Sequence, residues 1–408
     1  MTLSRSGAAR YVIAAGVVAA LHVGKLPPAL PVLERTLGIS LLQAGFLLSL
    51  VQLAGMLLGL LTGLAVQRIG LRRSMVGGLL VLGCASALGG FADSAMWLLA
   101  TRALEGLGFL WVVLPAPALV RRLSSPERLQ GMLGAWGAYM PLGASLALLS
   151  GPWVMQLGAS AGGWRAWWWL LAALAVVLAG VLIWRVPPDA DFEDAPALPQ
   201  SGVHRSTNMT LLGLTLRSRA AWLLALTFAS YSGQWLAVIG FLPSIYAQAG
   251  VAGGTSAWLT AGAAAVNILG NLAAGRLLGR QVQPLTLLAT GFVAMAGGAW
   301  LAFGASGFPL LQYAGVLVFS MVGGLIPTTL FSLAIRLAPR VDTVSTTVGW
   351  IQQWSALGQF AGPPLVAWVA VRAGGWQWTA WVTSACCCVG LLLAVQIQAQ
   401  LAPGQAAR

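Results

Sequence analysis

Residues 11–33 read YVIAAGVVAALHVGKLPPALPVL, an apolar stretch long enough to cross a lipid bilayer as a helix. A membrane-spanning helix needs about 20 mainly apolar residues. The interior of this stretch holds two ionisable side chains, His22 and Lys25, and Lys25 is the only lysine in the sequence. An ionisable group near the middle of a membrane helix costs about 2.5 to 3.5 kcal/mol on insertion scales, and it usually faces a bundle interior or a cavity. We therefore expect Lys25 to mark a functional site.

Similar apolar stretches recur along the sequence and predict an all-α membrane protein with twelve transmembrane helices. The 408 residues are 58% hydrophobic and only 8% charged, with a mean hydropathy of +0.83. A soluble domain carries about 25% charged residues. We expect the first stretch to remain as an uncleaved span, because it lacks a small-residue cleavage site. The twelve stretches centre near Val18, Leu53, Leu82, Gly108, Leu142, Ala175, Tyr231, Val266, Ala294, Phe319, Ser355 and Cys387.

The basic residues behind the formal charge of +13 are distributed unequally between the two sides of the predicted membrane. With the N-terminus inside, the internal segments hold 17 arginines, the external loops hold three, and Arg102 lies within a span. The excess of positive charge on cytoplasmic loops then predicts cytoplasmic N- and C-termini. This distribution explains the charge without a nucleic-acid partner.

The two halves of the sequence are related by a shift of 212 residues. The shift superposes Leu30-Pro31 on Leu242-Pro243, and it also pairs the following positions: Gly63 with Gly275, Pro115 with Pro327, and Gly137 with Gly349. A constant offset over several helix pairs indicates a duplicated unit. The sequence therefore predicts two pseudo-symmetric six-helix bundles, at 1–186 and 218–408, joined by a cytoplasmic linker at 187–217.

The loop after the second predicted span carries a glycine and basic-residue signature, Gly63-x-x-x-Gln67-Arg68-x-Gly70-x-Arg72-Arg73. The pattern resembles the loop signature of the major facilitator superfamily. That resemblance implies the family's fold, in which two bundles rock about a central substrate site. It also implies that residues 63–73 form a gating loop at the cytoplasmic helix ends. The family usually has Asp where this sequence has Gln67, so the usual acidic latch of the loop is missing.

Two further stretches extend the resemblance. Arg102-Ala103-Leu104-Glu105-Gly106-Leu107-Gly108 is similar to the family's Arg-x-x-x-Gly-x-Gly motif, whose arginine is associated with proton or substrate handling. Residues 231–246, YSGQWLAVIGFLPSIY, resemble the seventh span of the cyanate and nitroimidazole transporter branch. The resemblance covers essentially the whole sequence.

Lys25 and Glu105 are predicted to lie at one depth in the membrane. Each falls three residues external of the midpoint of its span, which places both roughly 4 to 5 Å outside midplane at 1.5 Å per residue. His22 and Arg102 share their helix faces at a spacing of three residues. The four side chains would form a cluster with an excess of positive charge. The alternatives are that Arg102 and Glu105 only pair with each other, that His22 hydrogen-bonds a neighbouring helix, and that Lys25 extends outward to the interface.

The repeat places no equivalent charge in the C-terminal half. His22 maps to Gln234 and Lys25 maps to Ala237 under the shift. We expect that half to offer neutral aromatic and amide groups to a substrate, and these residues are Tyr231, Gln234, Trp235, Asn267 and Gln353. The tryptophans near span ends, including Trp97, Trp164 and 167–169, are interpreted as interfacial belt or packing residues.

Together these features predict a secondary transporter in a bacterial inner membrane that works by alternating access. Our leading hypothesis is proton-coupled uptake of a small organic anion. Lys25, His22 or Arg102 would bind the substrate, and Glu105 or His22 would carry the proton. The alternative is proton-driven efflux of an amphipathic drug or metabolite. We expect a monomer with no cofactor and no catalytic or metal site, because His22 and Glu105 supply too few ligands for a metal. A channel is the remaining alternative.

Overall fold

The computed structural model describes residues 5–125, 128, 132, 135–158, 163–189, 208–305, 307–340 and 343–401. Within these residues the ordered elements are helices, with no strand. The N-terminal helices are α1 (Arg5–Gly24), α2 (Leu26–Leu37), α3 (Leu41–Ser49), α4 (Leu53–Ile69), α5 (Leu71–Gly89), α6 (Ala95–Val113), α7 (Ala116–Leu123), α8 (Tyr139–Leu157) and α9 (Trp164–Arg185).

The C-terminal helices follow the same alternation of long apolar elements and short turns. They are α10 (Asn208–Arg217), α11 (Arg219–Gln248), α12 (Gly253–Gly279), α13 (Pro284–Gly304), α14 (Pro309–Gly323), α15 (Leu325–Leu337), α16 (Val344–Ala373) and α17 (Thr379–Leu401).

The structure contains the predicted helical spans. Among the described residues, ten helical stretches are long and apolar enough to cross a membrane. The two other predicted spans correspond to α8 and α16, which are 19 and 30 residues long. Each of the twelve predicted centres lies within one of these helices or at a short break inside a helical stretch. The all-α membrane fold is thereby confirmed.

Several spans are interrupted at a glycine or close to a proline. The first span breaks at Lys25, two residues before Pro27. The fourth breaks at Leu114 and Pro115, and the tenth breaks at Gly324. Proline has no N–H to donate to the carbonyl four residues earlier, so each such break leaves carbonyl groups that need other donors.

The chain separates into two compact units. One comprises Met1–Val203 with Leu242–Ala261, and the other comprises His204–Phe241 with Gly262–Arg408. Residues 190–207 of the predicted linker lie outside the described residues, and its last ten residues form α10. The domain boundaries near 186 and 218 stay predictions.

Close helix packing in the first unit depends on small residues. α5 packs against α6 and α9, and α1 packs against α8. At the α5–α6 crossing, a Cβ on Gly108 would come within 2.6 Å of the Leu82 backbone nitrogen. Glycine allows backbones to approach this closely, as is common between membrane helices. This packing brings α1, α5, α6 and α9 together around the predicted charged cluster.

Candidate functional site

Lys25 lies at the break between α1 and α2, and its side chain is fully buried. Its ammonium group forms an ion pair with Glu105 Oε1 on α6. It also donates to Ser86 Oγ on α5 at 2.9 Å. The same nitrogen lies 4.5 Å from the ring centroid of Trp168 on α9, a favourable cation–π distance. The predicted pairing of Lys25 with Glu105 is present in the structure, and the alternative of outward extension is wrong here.

Arg102 ties this cluster to the broken ends of neighbouring helices. Its Nε donates to Leu47 O at 3.1 Å, near the end of α3. Its NH1 group donates to His22 O at 2.5 Å and its NH2 group to Val23 O at 3.4 Å, near the end of α1. These carbonyls lie near helix ends, where backbone acceptors often take donors from outside the helix. For Val23 the cause is visible in the sequence, because residue 27 is a proline.

Both oxygens of Glu105 are engaged by cations. Oε1 accepts from Lys25, and Oε2 accepts from Arg102 NH1 at 2.6 Å. The three side chains are each at most 2% exposed. Two cations therefore face one carboxylate in an environment closed to solvent, which leaves a formal excess of one positive charge. Burial of paired charges is tolerated only when hydrogen bonds satisfy them, as they do here.

His22 lies beside this cluster and is fully buried. Its main-chain carbonyl binds Arg102, but neither ring nitrogen has a hydrogen-bond partner among the described residues, although the ring lies near the main chain of Leu171. The roles predicted for His22 in substrate binding and proton transfer stay predictions.

The predicted gating loop spans the end of α4 and the start of α5. The side chains of Gln67 and Arg68 lie outside the described residues. Gly70 has φ 101°, in the region that favours glycine, and it ends α4. The backbone N–H groups of Arg72 and Arg73 bind the carboxylate of Asp189. The gating role of the loop stays a prediction.

In the second unit, three of the predicted substrate contacts form one neutral network. Asn267 Nδ2 donates to Tyr231 Oη at 3.1 Å and to Ser320 O at 2.8 Å. Trp235 Nε1 donates to Ser320 Oγ at 3.1 Å. Tyr231 and Asn267 are buried. The network links α11, α12 and α14 within this unit, and its side chains are neutral, as the repeat comparison predicts.

Gln234 and Gln353 do not take part in these bonds. Gln234 Nε2 donates to Ser230 O at 2.6 Å, and its Oε1 accepts from the Cys387 thiol at 3.3 Å. It lines a cavity of about 130 Å³ between α11, α16 and α17. Gln353 is half-buried on α16. Their predicted contacts with substrate stay predictions.

The sequence interpretation missed two residues of the charged cluster. Ser86 accepts from Lys25 and donates to Trp168 O at 3.0 Å. Trp168 supplies the ring face, and it is only 1% exposed, as is Trp164. An interfacial role for these two tryptophans is therefore wrong, and packing is correct. Neither position had a distinguishing signal, because serines and tryptophans occur in many spans.

Apolar helices long enough to cross a bilayer, packed around a buried ionic cluster, define a multi-pass membrane protein. Comparison with known proteins identifies the family. The sequence profile of the Major Facilitator Superfamily matches residues 12–363, so the chain belongs to this superfamily. It is a multi-pass membrane transporter and not an enzyme.

Individual relatives are more distant. The cyanate transport protein CynX of Escherichia coli K12 is 25% identical over 280 residues, which cover 67% of this chain and 68% of CynX. The methyl viologen resistance protein SmvA of Salmonella typhimurium LT2 is 30% identical over 179 residues, or 43% of this chain and 34% of SmvA. The E. coli K12 transporter YgaY is 31% identical over 215 residues, 51% of each chain. The chain thus spans about a third of SmvA and half of YgaY.

The fold is also that of a solved transporter. A bacterial homolog of the human lysosomal transporter Spinster, in an inward-facing and occupied conformation, superposes with a TM-score of 0.76 over 97% of both chains at 15% identity. At this identity the likeness concerns the fold alone.

Proposed function

We propose that this protein is a secondary active transporter that takes up a small organic anion together with a proton. The observation that carries the proposal is the excess of one positive charge in a fully buried cluster, where Lys25 and Arg102 face Glu105. A cationic excess in a low-dielectric environment attracts an anion. A monoanion would neutralise the cluster.

The hydrogen bonds favour Lys25 over Arg102 as the group that meets the substrate. The guanidinium group of Arg102 donates hydrogen bonds to three backbone carbonyls as well as to Glu105. Its release would break these bonds and leave Val23 O without a donor, because residue 27 is a proline, and an unsatisfied buried group costs about 1 to 3 kcal/mol. The ammonium group of Lys25 contacts side chains only, so it can exchange Glu105 for a substrate carboxylate without losing a bond to a main-chain carbonyl.

Ser86 and Trp168 support a cationic Lys25 throughout this exchange. Because the Ser86 hydroxyl donates to Trp168 O, it offers lone pairs to Lys25, which must then donate. The Trp168 ring also favours a cation. When a substrate anion displaces Glu105 from Lys25, the carboxylate loses one of its two cationic partners. Glu105 is then the group that takes up a proton, and His22 is the second candidate carrier.

The remaining parts of the proposal follow the sequence. Tyr231, Gln234, Trp235, Asn267 and Gln353 are proposed contacts for the neutral body of the substrate. Residues 63–73 are the proposed gating loop. The protein is proposed to act as a monomer in a bacterial inner membrane, with both termini in the cytoplasm as the arginine distribution favours.

Efflux of an amphipathic drug is the second candidate, and the relationship to SmvA favours it. Methyl viologen is a dication, whereas cyanate is an anion. Two like charges 4 Å apart repel by about 4 kcal/mol at an effective dielectric constant of 20. The excess positive charge of the cluster therefore opposes a dication at this site and favours the anion.

A thermal-shift screen on the purified protein separates the two candidates. The probes are cyanate, acetate, benzoate and methyl viologen, each tested at several pH values. We expect at least one anion to raise the melting temperature and methyl viologen to leave it unchanged. Stabilisation by methyl viologen alone would reject anion uptake in favour of efflux. In proteoliposomes, an uptake rate of the stabilising anion that is the same with and without an imposed proton gradient would reject proton coupling.

A further inference from the structure

We propose that Asp189 is a positioning residue for the gating loop and supplies the acidic group that the loop itself lacks, an inference that rests on the gating role proposed above for residues 63–73. Asp189 Oδ1 accepts a hydrogen bond from the Arg72 backbone nitrogen at 2.9 Å. Its Oδ2 accepts from the Arg73 backbone nitrogen at 3.1 Å. These N–H groups lie in the first turn of α5, where helices have no internal acceptors. Asp189 thus caps α5 from a position more than 110 residues away in the sequence.

The contact is reciprocal. The Arg72 side chain donates through Nε to Leu182 O at 3.3 Å, and through NH2 to Ile183 O, both in the last turn of α9. An acidic group therefore lies at the positive end of α5, and a basic group lies at the negative end of α9. Both placements are favourable for the helix dipoles. The start of α5 therefore contacts both the last turn of α9 and Asp189, which follows that helix.

Gly70 fits this contact for two reasons. Its φ of 101° is disfavoured for residues with a side chain. A Cβ at this position would also overlap the carboxylate of Asp189. Glycine at position 70 therefore leaves the space that the carboxylate occupies.

The contact has a consequence for gating. Gln67 occupies the position at which the superfamily usually has an aspartate, so the loop has no acidic group of its own. Asp189 brings one from the first residues after α9, which begin the predicted linker. The start of α5 and the start of the linker are thereby fixed to each other, so a displacement of one is transmitted to the other.

Hydrogen–deuterium exchange of the full-length protein in lipid nanodiscs tests this role. The variants are Asp189→Ala, which removes the cap, and Asp189→Asn, which keeps an acceptor oxygen. The matched control is Asp93→Ala, which removes an exposed carboxylate between α5 and α6. We expect amide exchange in peptides covering residues 70–74 to rise about five-fold in Asp189→Ala, as for a lost N-cap. Asp189→Asn should give a smaller rise than Asp189→Ala, because asparagine keeps one acceptor oxygen for one of the two N–H groups.

A second variant, Gly70→Ala, approaches the same contact from the loop. It should raise exchange at the same amides, because the added methyl group displaces the carboxylate. Unchanged exchange in Asp189→Ala or in Gly70→Ala overturns the proposal. It is also overturned if Asp189→Asn exchanges as fast as Asp189→Ala, if Asp93→Ala gives the same increase, or if the increase extends over all helices as in global destabilisation.

Discussion

Replacing Lys25 by methionine should weaken anion binding by about three orders of magnitude. The substitution retains an unbranched side chain of similar length against Trp168 but removes the ammonium group, so the formal charge of the cluster falls from one positive charge to zero. A monoanion at about 4 Å from one unpaired positive charge gains about 4 kcal/mol at an effective dielectric constant of 20. At about 1.4 kcal/mol for each factor of ten, this corresponds to nearly a thousand-fold in the dissociation constant.

Calorimetric titration in nanodiscs measures this effect, with benzoate and cyanate as probes and Lys25→Arg as the variant that keeps the charge. Arg372→Met is the matched control, because it removes one positive charge from an exposed position at the end of α16. Lys25→Met should abolish detectable binding, Lys25→Arg should retain it in part, and Arg372→Met should leave it unchanged. Wild-type affinity in a folded Lys25→Met protein would refute the electrostatic argument.

Three further substitutions test other parts of the site and fold. Glu105→Gln should retain anion binding and counterflow in proteoliposomes but lose accumulation driven by a proton gradient, since the proposed proton carrier is gone; preserved gradient-driven accumulation would exclude Glu105 from that role. Arg102→Lys should lower thermal stability, because an ammonium group cannot reach three carbonyls and Glu105 together, and each lost charged hydrogen bond costs about 1.5 to 3 kcal/mol; an unchanged melting temperature would show that the guanidinium geometry is dispensable. Gly358→Ala should lower the free energy of unfolding by about 1 to 3 kcal/mol through overpacking, because its Cβ would overlap the Ala229 carbonyl on α11. The control Gly275→Ala should be neutral, because a Cβ at position 275 would have no atom within 4 Å. Equal melting temperatures for the two variants would contradict the close α11–α16 packing.

The number of spans and the pairing at the centre of the first unit could be predicted from the sequence. The length of an apolar stretch can be read directly from the sequence, so the twelve stretches indicate the all-α membrane fold. The Lys25–Glu105 contact agrees with the shared depth predicted for the two residues, because each residue has a fixed height along its own helix. Ionisable residues inside membranes are rare, which leaves few possible partners at a given depth.

The remainder of the site depends on how helices rotate about their axes, which depth does not specify. Ser86 and Trp168 meet Lys25 because the faces of α5 and α9 turn toward α1. Neither residue type is rare enough in a membrane helix to indicate this. The contact of Asp189 with α5 could not be predicted either, because Asp189 is one of several acidic residues after α9 in the sequence. Only the packing of α9 against α5 brings it to the start of that helix.

Pro27 and Arg102 are complementary in their hydrogen bonding, although they form no ion pair. Pro27 withdraws the donor that Val23 O would otherwise have, and Arg102 supplies a replacement from another helix. A homologue with a residue other than proline at position 27 would have the N–H donor again, and the hydrogen bond from Arg102 to Val23 O would no longer be needed. The two positions should therefore change together during divergence, with relatives that keep the proline also keeping a donor at position 102.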